Sequence, residues 1–98
     1  MRDPHSEIRD QVLQQVLNGP GETRPALRNA VATNRDVPAD LQPLIDKIHA
    51  HAYRVTERDI ARVKDRYNED ELFELIVSAA LGASRERLLA GLEALEGA

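Results

Sequence analysis

The chain has no cysteine, no tryptophan, one phenylalanine and two tyrosines among 98 residues. Without thiols there can be no disulfide, zinc ribbon, iron–sulfur cluster or thiol redox chemistry. No apolar run approaches the roughly 18 residues that a membrane span needs. The opening residues MRDPHSEIRD lack the apolar stretch of a secretion signal, so a cytoplasmic setting with no membrane contact is expected. Thirteen basic against seventeen acidic residues give a net charge of -4, the wrong sign for a protein whose main task is gripping phosphate backbones. No Gly-rich phosphate loop, Gly-x-Ser-x-Gly elbow or His-Glu-x-x-His helix is present. The 42% of hydrophobic residues is too high for a disordered acidic tail and suits one small soluble domain.

Proline is absent from the second half. Pro4, Pro20, Pro25, Pro38 and Pro43 punctuate the first 43 residues, and the remainder is free to run in longer pieces. No stretch alternates apolar and polar residues, and Ala, Leu, Glu and Arg dominate, so the reading is all-α: a small bundle of about five helices around a long central C-terminal helix. One domain spans 1–98, with short N-terminal helices over 1–37 and a helical core over 38–98.

The first helix starts at Asp3 or Ser6, with Pro4 suited to a first helical position. It turns Ile8, Val12, Leu13, Val16 and Leu17 inward and stops at Asn18-Gly19-Pro20-Gly21. A short second helix, about Pro25 to Thr33, buries Leu27, Ala30 and Val31. Leu41, Leu44, Ile45, Ile48 and Ala52 recur at helical spacing in a third that ends near Tyr53. Thr56 with Asp59 is a capping signal for a fourth, on which Ile60, Val63 and Tyr67 share a face. Asn68 caps the fifth, in which eight of the ten residues 72–81 are apolar, so that it must be central or shared with a partner. This helix continues through Gly82 to about Glu96 using Leu88, Leu89, Leu92 and Leu95, and Gly82 weakens it and can kink it.

Several side chains have both a chemical and a bland reading. His49 and His51 lie about 200° apart around a helix, so they cannot clasp one metal, and no acid completes a site; no metal is expected. They are boundary residues or belong to a pocket. Arg58, Arg62 and Arg66 step by four, as an anion-binding stripe or a solvated face. Glu71, Glu74, Ser78, Gly82 and Arg85 share one sector of the fifth helix. There a half-buried carboxylate could have a raised pKa and move protons, or the sector is merely the wet side. Ser78 and Gly82, with Ala79, Ala80 and Ala83, are small enough to admit a second helix. Residues 77–92 partly mimic a DNA-reading helix-turn-helix about Gly82, with only Arg85 and Arg87 to set against Glu86.

Over His49–Leu95 the chain, through HAYRVTERDIARVKDRYNEDELFELIVSAALGASRERL, resembles the carboxymuconolactone decarboxylase and alkylhydroperoxidase D-like superfamily. The carrying features are a turn, here Arg66-Tyr67-Asn68-Glu69-Asp70-Glu71, and the Leu72-Phe73-Glu74-Leu75 run opening an Ala/Leu-rich helix. An ungapped register puts His51, Arg54 and Arg58 where that family's peroxidases have Cys-x-x-Cys and a following His, and Arg66 where the turn has glycine. None of the three catalytic positions matches. The resemblance therefore implies an AhpD-like helical, oligomer-forming fold with no thiol peroxidase activity, since neither guanidinium nor imidazole can form the thiolate.

A chain this small buries only about two-thirds of its unfolded surface, and the apolar fifth helix exceeds what four short partners cover. A homo-oligomer, most simply a dimer, follows as an expectation. The leading functional reading is a structural or ligand-binding helical module. One alternative is a cofactor-free lyase or isomerase, with His51 or Glu74 moving the proton and Arg54 or Arg58 clamping a small anionic ligand. The other is the helix-turn-helix, although nucleic acid is not the partner that the charge favours.

Overall fold

The computed structural model describes residues 6–97, with side chains described from Asp10 onward. Five α-helices follow one another, with no strand among the described residues. They are α1 (Ser6–Asn18), α2 (Pro25–Thr33), α3 (Gln42–His51, extended by a 3-10 turn over Ala52–Arg54), α4 (Glu57–Ala61) and α5 (Glu69–Gly97). The all-α bundle with a long C-terminal helix is thus observed. The expected caps at Asp3 and Pro4 and the inward side chain of Ile8 lie outside the described residues.

Local chemistry sets most of the boundaries. Gly19 closes α1 by donating its N–H to the Gln15 carbonyl at 2.9 Å, and a Cβ there would sit 2.4 Å from the same oxygen, so glycine is required. Pro25 opens α2, and Asn34 ends it in the left-handed region (φ 54°) with its N–H on Ala30 O. The side chains of Asn34, Gln42 and Asp46 then bond to one another, joining the end of α2 to the start of α3. Thr56 and Asp59 form a complete capping box on α4, and Asn68 and Glu71 exchange the same two bonds at the start of α5, at 2.8 and 3.0 Å. The fourth helix is shorter than its apolar spacing suggests. Residues 62–66 are turns that still bury Val63, but they take Arg66 off the helix, and it pairs instead with Asp40 at 3.5 Å.

The core joins both halves of the chain: Val31 from α2, Leu41, Leu44, Ile45 and Ile48 from around α3, Val63, and Leu72, Leu75 and Ala79 from α5. Each buried Leu or Ile contributes about 1.5–3 kcal/mol relative to exposure. The largest interface is that of α2 on α5. Of the sector of Glu71, Glu74, Ser78, Gly82 and Arg85, Ser78 and Gly82 are buried here beside Ala79 and Ala83, Glu71 and Glu74 are half-buried, and Arg85 is exposed. Gly82 does not break the helix. It allows the two backbones to touch, because a Cβ at this position would lie 2.0 Å from Ala32 O.

Expected burial fails at Val12, which is half exposed, and at Ala52, which is exposed; on α5, Phe73, Leu88, Leu89 and Leu95 are exposed in the single chain. From Ser84 onward only Leu92 is even partly covered. At about 1.5 Å per residue α5 is roughly 43 Å long, close to the 46 Å long dimension of the molecule. Its N-terminal half is packed, while its C-terminal half extends beyond the bundle.

Candidate functional site

The four side chains singled out for chemistry do not converge. His51 ends α3 in the open, its ring edge-on to Tyr53 at 5.7 Å, with Nδ1 3.5 Å from the tyrosine hydroxyl. Arg54 lies over that ring, 5.8 Å from its centroid. Arg58 is on α4, beside an open depression of about 610 Å3 lined by Lys47, Thr56, Glu57, Arg58, Asp59 and Arg62. Lys47 is committed there to Asp59, at 2.8 Å, and this bond, followed by the Thr56 N–H, lowers the Asp59 pKa to about 2. Among the described residues Arg58 and Arg62 have no carboxylate partner within ion-pair distance, but Glu57 and Asp59 share the depression, which is open.

Glu74 is placed very differently. Its carboxylate accepts hydrogen bonds from the Glu22 N–H at 2.6 Å, the Thr23 N–H at 3.1 Å and the Thr23 hydroxyl at 2.7 Å. Gly21 makes room for it, since a Cβ on that residue would fall 2.5 Å from Glu74 Oε1. Behind it, Arg28 is 2% exposed. The guanidinium donates from Nη1 to Val16 O and from Nη2 to Gly19 O, both at 2.6 Å, and its Nε stands 3.4 Å from Glu74 Oε1, near enough for charge but not aligned for a hydrogen bond. One buried cation thus satisfies two carbonyls at the end of α1 while one carboxylate holds the α1–α2 loop.

This overturns the expected raised pKa. Burial does push the Glu74 carboxyl upward, but the bonds from Thr23 and the Glu22 N–H, with the Arg28 charge, outweigh it and leave the pKa below the ordinary value. An ionised acid already accepting three hydrogen bonds is a fastener and a poor proton carrier near neutrality. No hydrogen bond or ion pair joins it to His51, Arg54 or Arg58. The sequence points to Glu74 as a carboxylate on an apolar helix, but nothing in it marks Arg28, which looks like any arginine on a short helix.

His49, a boundary residue or pocket member by its sequence position, has Nε2 2.7 Å from Val31 O and Nδ1 3.8 Å from Glu86. Arg87 adds a bond to His49 O at 2.6 Å. These contacts tie α5 to α3. They also engage Glu86 and Arg87, both on the surface, in contacts within the chain, and α5 runs unbroken through Gly82 where a helix-turn-helix needs its turn. The DNA-reading geometry is therefore not formed.

What the molecule does present is one face of α5. At about 100° per residue, Phe73, Val77, Ala80, Leu81, Ser84, Leu88, Gly91 and Leu95 fall within roughly 100° of the helix surface, opposite the face that buries Leu72, Leu75, Ala79 and Gly82. No charged residue from Glu71 to Gly97 enters this sector. Phe73 is 71% exposed and Leu95 76%. Comparison of the chain with family models, with curated proteins and with solved structures found no match in any of the three.

Proposed function

We propose that this chain is an all-helical assembly module without thiol peroxidase activity, and that it works as a homo-oligomer, in the simplest case a dimer. The observation that carries this reading is the uncharged outward strip on α5. Phe73, Leu88 and Leu95 lie exposed along it, with Val77 and Leu81 half-buried between them, on a helix whose other face holds the core together. Contiguous exposed apolar surface of this kind marks an interaction site. The family reading belongs to the same proposal, and its support is the order of elements: a short capped helix, the turn before Asn68, and the long Ala/Leu-rich helix after it. So does a cytoplasmic setting, supported only by the absence, among the described residues, of a helix long and apolar enough to cross a membrane.

The enzyme alternative gains no support, because among the described residues no hydrogen bond or ion pair joins its two proton-transfer candidates and one of them is held as a carboxylate. Multi-angle light scattering over micromolar concentrations tests the proposal. A mass twice the 10.9 kDa of the chain, or a higher multiple, is expected. A species that stays at the chain mass up to a hundred micromolar overturns it.

A further inference from the structure

The first helix is fastened to the molecule differently from the rest. Each of the other four gives at least one apolar side chain to the core or its margin, from Val31 on α2 to Ile60 on α4. No described residue of α1 does. The helix packs on α2 and α5, but between Asp10 and Asn18 only Leu17 is buried, Leu13 and Val16 are half-covered and the other six side chains are exposed.

What holds α1 is polar and gathered at its C-terminal end. Arg28 donates to Val16 O and Gly19 O, Asn29 Nδ2 donates to Asn18 Oδ1 at 2.9 Å, and Glu74 gathers in the N–H groups of Glu22 and Thr23 and the Thr23 hydroxyl. At the other end stands the Asp10–Arg85 pair, whose two side chains are about half exposed and which therefore adds little. We infer that α1 is a strap latched by the Arg28–Glu74 clasp, opening and closing as one unit about the connection 19–24 while α2, α3, α4 and α5 stay folded.

The connection suits a hinge. It has no regular structure, it carries Gly19, Pro20 and Gly21, and the atoms nearest a Cβ on Gly21 all belong to the Glu74 carboxylate, so release of the latch also frees the turn. The clasp is also of a kind that can let go. When α1 and its loop leave, the Arg28 guanidinium and the Glu74 carboxylate return to water together and neither charge is stranded, whereas opening the apolar core brings no such compensation. A helix of 13 residues is marginal by itself, so α1 loses its helical hydrogen bonds once released. The open form keeps the core closed and uncovers the side of α2 and α5 against which Leu17 lay, with Arg28 and Glu74 in it. This holds for a single or a paired chain.

Native-state hydrogen exchange, followed amide by amide at urea concentrations below the unfolding transition, tests the inference on the intact chain. Leu13, Val16 and Leu17 are expected to share one opening equilibrium with a shallow urea slope, and Leu75 and Ala79 to exchange only through global unfolding with the full slope. Glu74→Gln is expected to speed exchange at all three α1 amides by about tenfold or more, since it weakens bonds made to a charged group. Thr23→Val, which removes one of those bonds and leaves both partners' backbones in place, is the milder variant and is expected to act in the same direction. Ile45→Val trims the core away from the strap. It is expected to speed Leu75 and Ala79 severalfold and to leave the α1 amides unchanged. An Ile45→Val protein in which the α1 amides quicken in step with Ala79 shows that α1 opens only when the core does, and overturns the inference. So do α1 amides that exchange at rates graded from the helix end and do not respond to either Glu74→Gln or Thr23→Val, because fraying does not answer to a residue on α5.

Discussion

Replacing Gly82 by alanine sets helix propensity against packing, and the two predict opposite signs. In an exposed helix interior the change gains about 1 kcal/mol. Here the added Cβ would lie 2.0 Å from Ala32 O and 2.6 Å from both Ala32 C and Ala32 Cα. All three atoms are backbone, so no rotamer change relieves the clash. Reaching an ordinary contact distance requires α5 to retreat from α2 by roughly 1.4 Å. That retreat loosens Val31, Leu75 and Ala79, none of which has any exposed surface. Overpacking of this kind costs about 1–3 kcal/mol and occasionally more, and the lost contacts around those side chains put this site at or above the upper end. The net expectation is a loss of about 2 kcal/mol, or a fall in melting temperature of about 8–16 °C for a domain this size. Gly91→Ala, where the new methyl meets nothing within 4 Å, supplies the contrast and is expected to gain about 1 kcal/mol at dilutions where single chains predominate. Thermal and guanidinium unfolding followed by circular dichroism reads both. A Gly82→Ala protein as stable as the parent would refute the close approach of α2 and α5.

Ser78 has no exposed surface and its hydroxyl has no hydrogen-bond partner, so Ser78→Ala is expected to stabilise the fold by about 1 kcal/mol in the same unfolding assay. Arg28→Met and Glu74→Gln are each expected to cost about 2–4 kcal/mol, since each strands the other's charge. The double variant should cost clearly less than the sum, and strict additivity in the cycle would dismiss the coupling. Asp59 and Glu74 both have pKa values below the ordinary 3.8 and 4.5. Each therefore binds its proton more weakly in the folded chain, stabilises the fold at neutral pH, and loses that contribution as the pH falls through the folded value. Urea midpoints should drop between pH 3.8 and about 2 for the Asp59 part, and Asp59→Asn should flatten that limb. Tyr67 behaves in the opposite sense. Burial and the Asp40 charge raise its pKa above 10.0, so its contribution is present below that value and is lost as the pH rises through the raised one, a loss that Tyr67→Phe should abolish.

Helix positions were legible because they depend on local chemistry. Gly19 and Pro20, Pro25, Thr56 with Asp59, and Asn68 with Glu71 each act within a few residues, and such signals survive folding unchanged. The Arg28–Glu74 pair was not legible. Apart from the Thr23 hydroxyl, its partners are Val16 O, Gly19 O and the N–H groups of Glu22 and Thr23, backbone atoms every residue possesses, so no side-chain pattern announces them. The electrostatic sign at Glu74 was missed for the same reason. Sequence reasoning weighs the burial of a carboxylate on an apolar helix, but it cannot see the loop that folds back over the group and reverses the balance.

The fifth helix shows where periodicity itself fails. A run that is apolar on nearly every side has no phase, and the count of eight apolar residues in ten establishes that α5 is heavily used without saying which side faces which neighbour. From sequence, Ser78 and Gly82, with Ala79, Ala80 and Ala83, are small enough to admit a second helix. In the structure that helix is α2, with Ala32 against Gly82. Covering this face leaves Phe73, Val77, Leu88 and Leu95 on the opposite one, at the same helical spacing but without any charge to keep them wetted. The expectation of a partner therefore does not lapse when the small-residue face proves to be filled internally. It moves half a turn around the helix, to the only side of α5 on which a long uncharged surface lies open among the described residues.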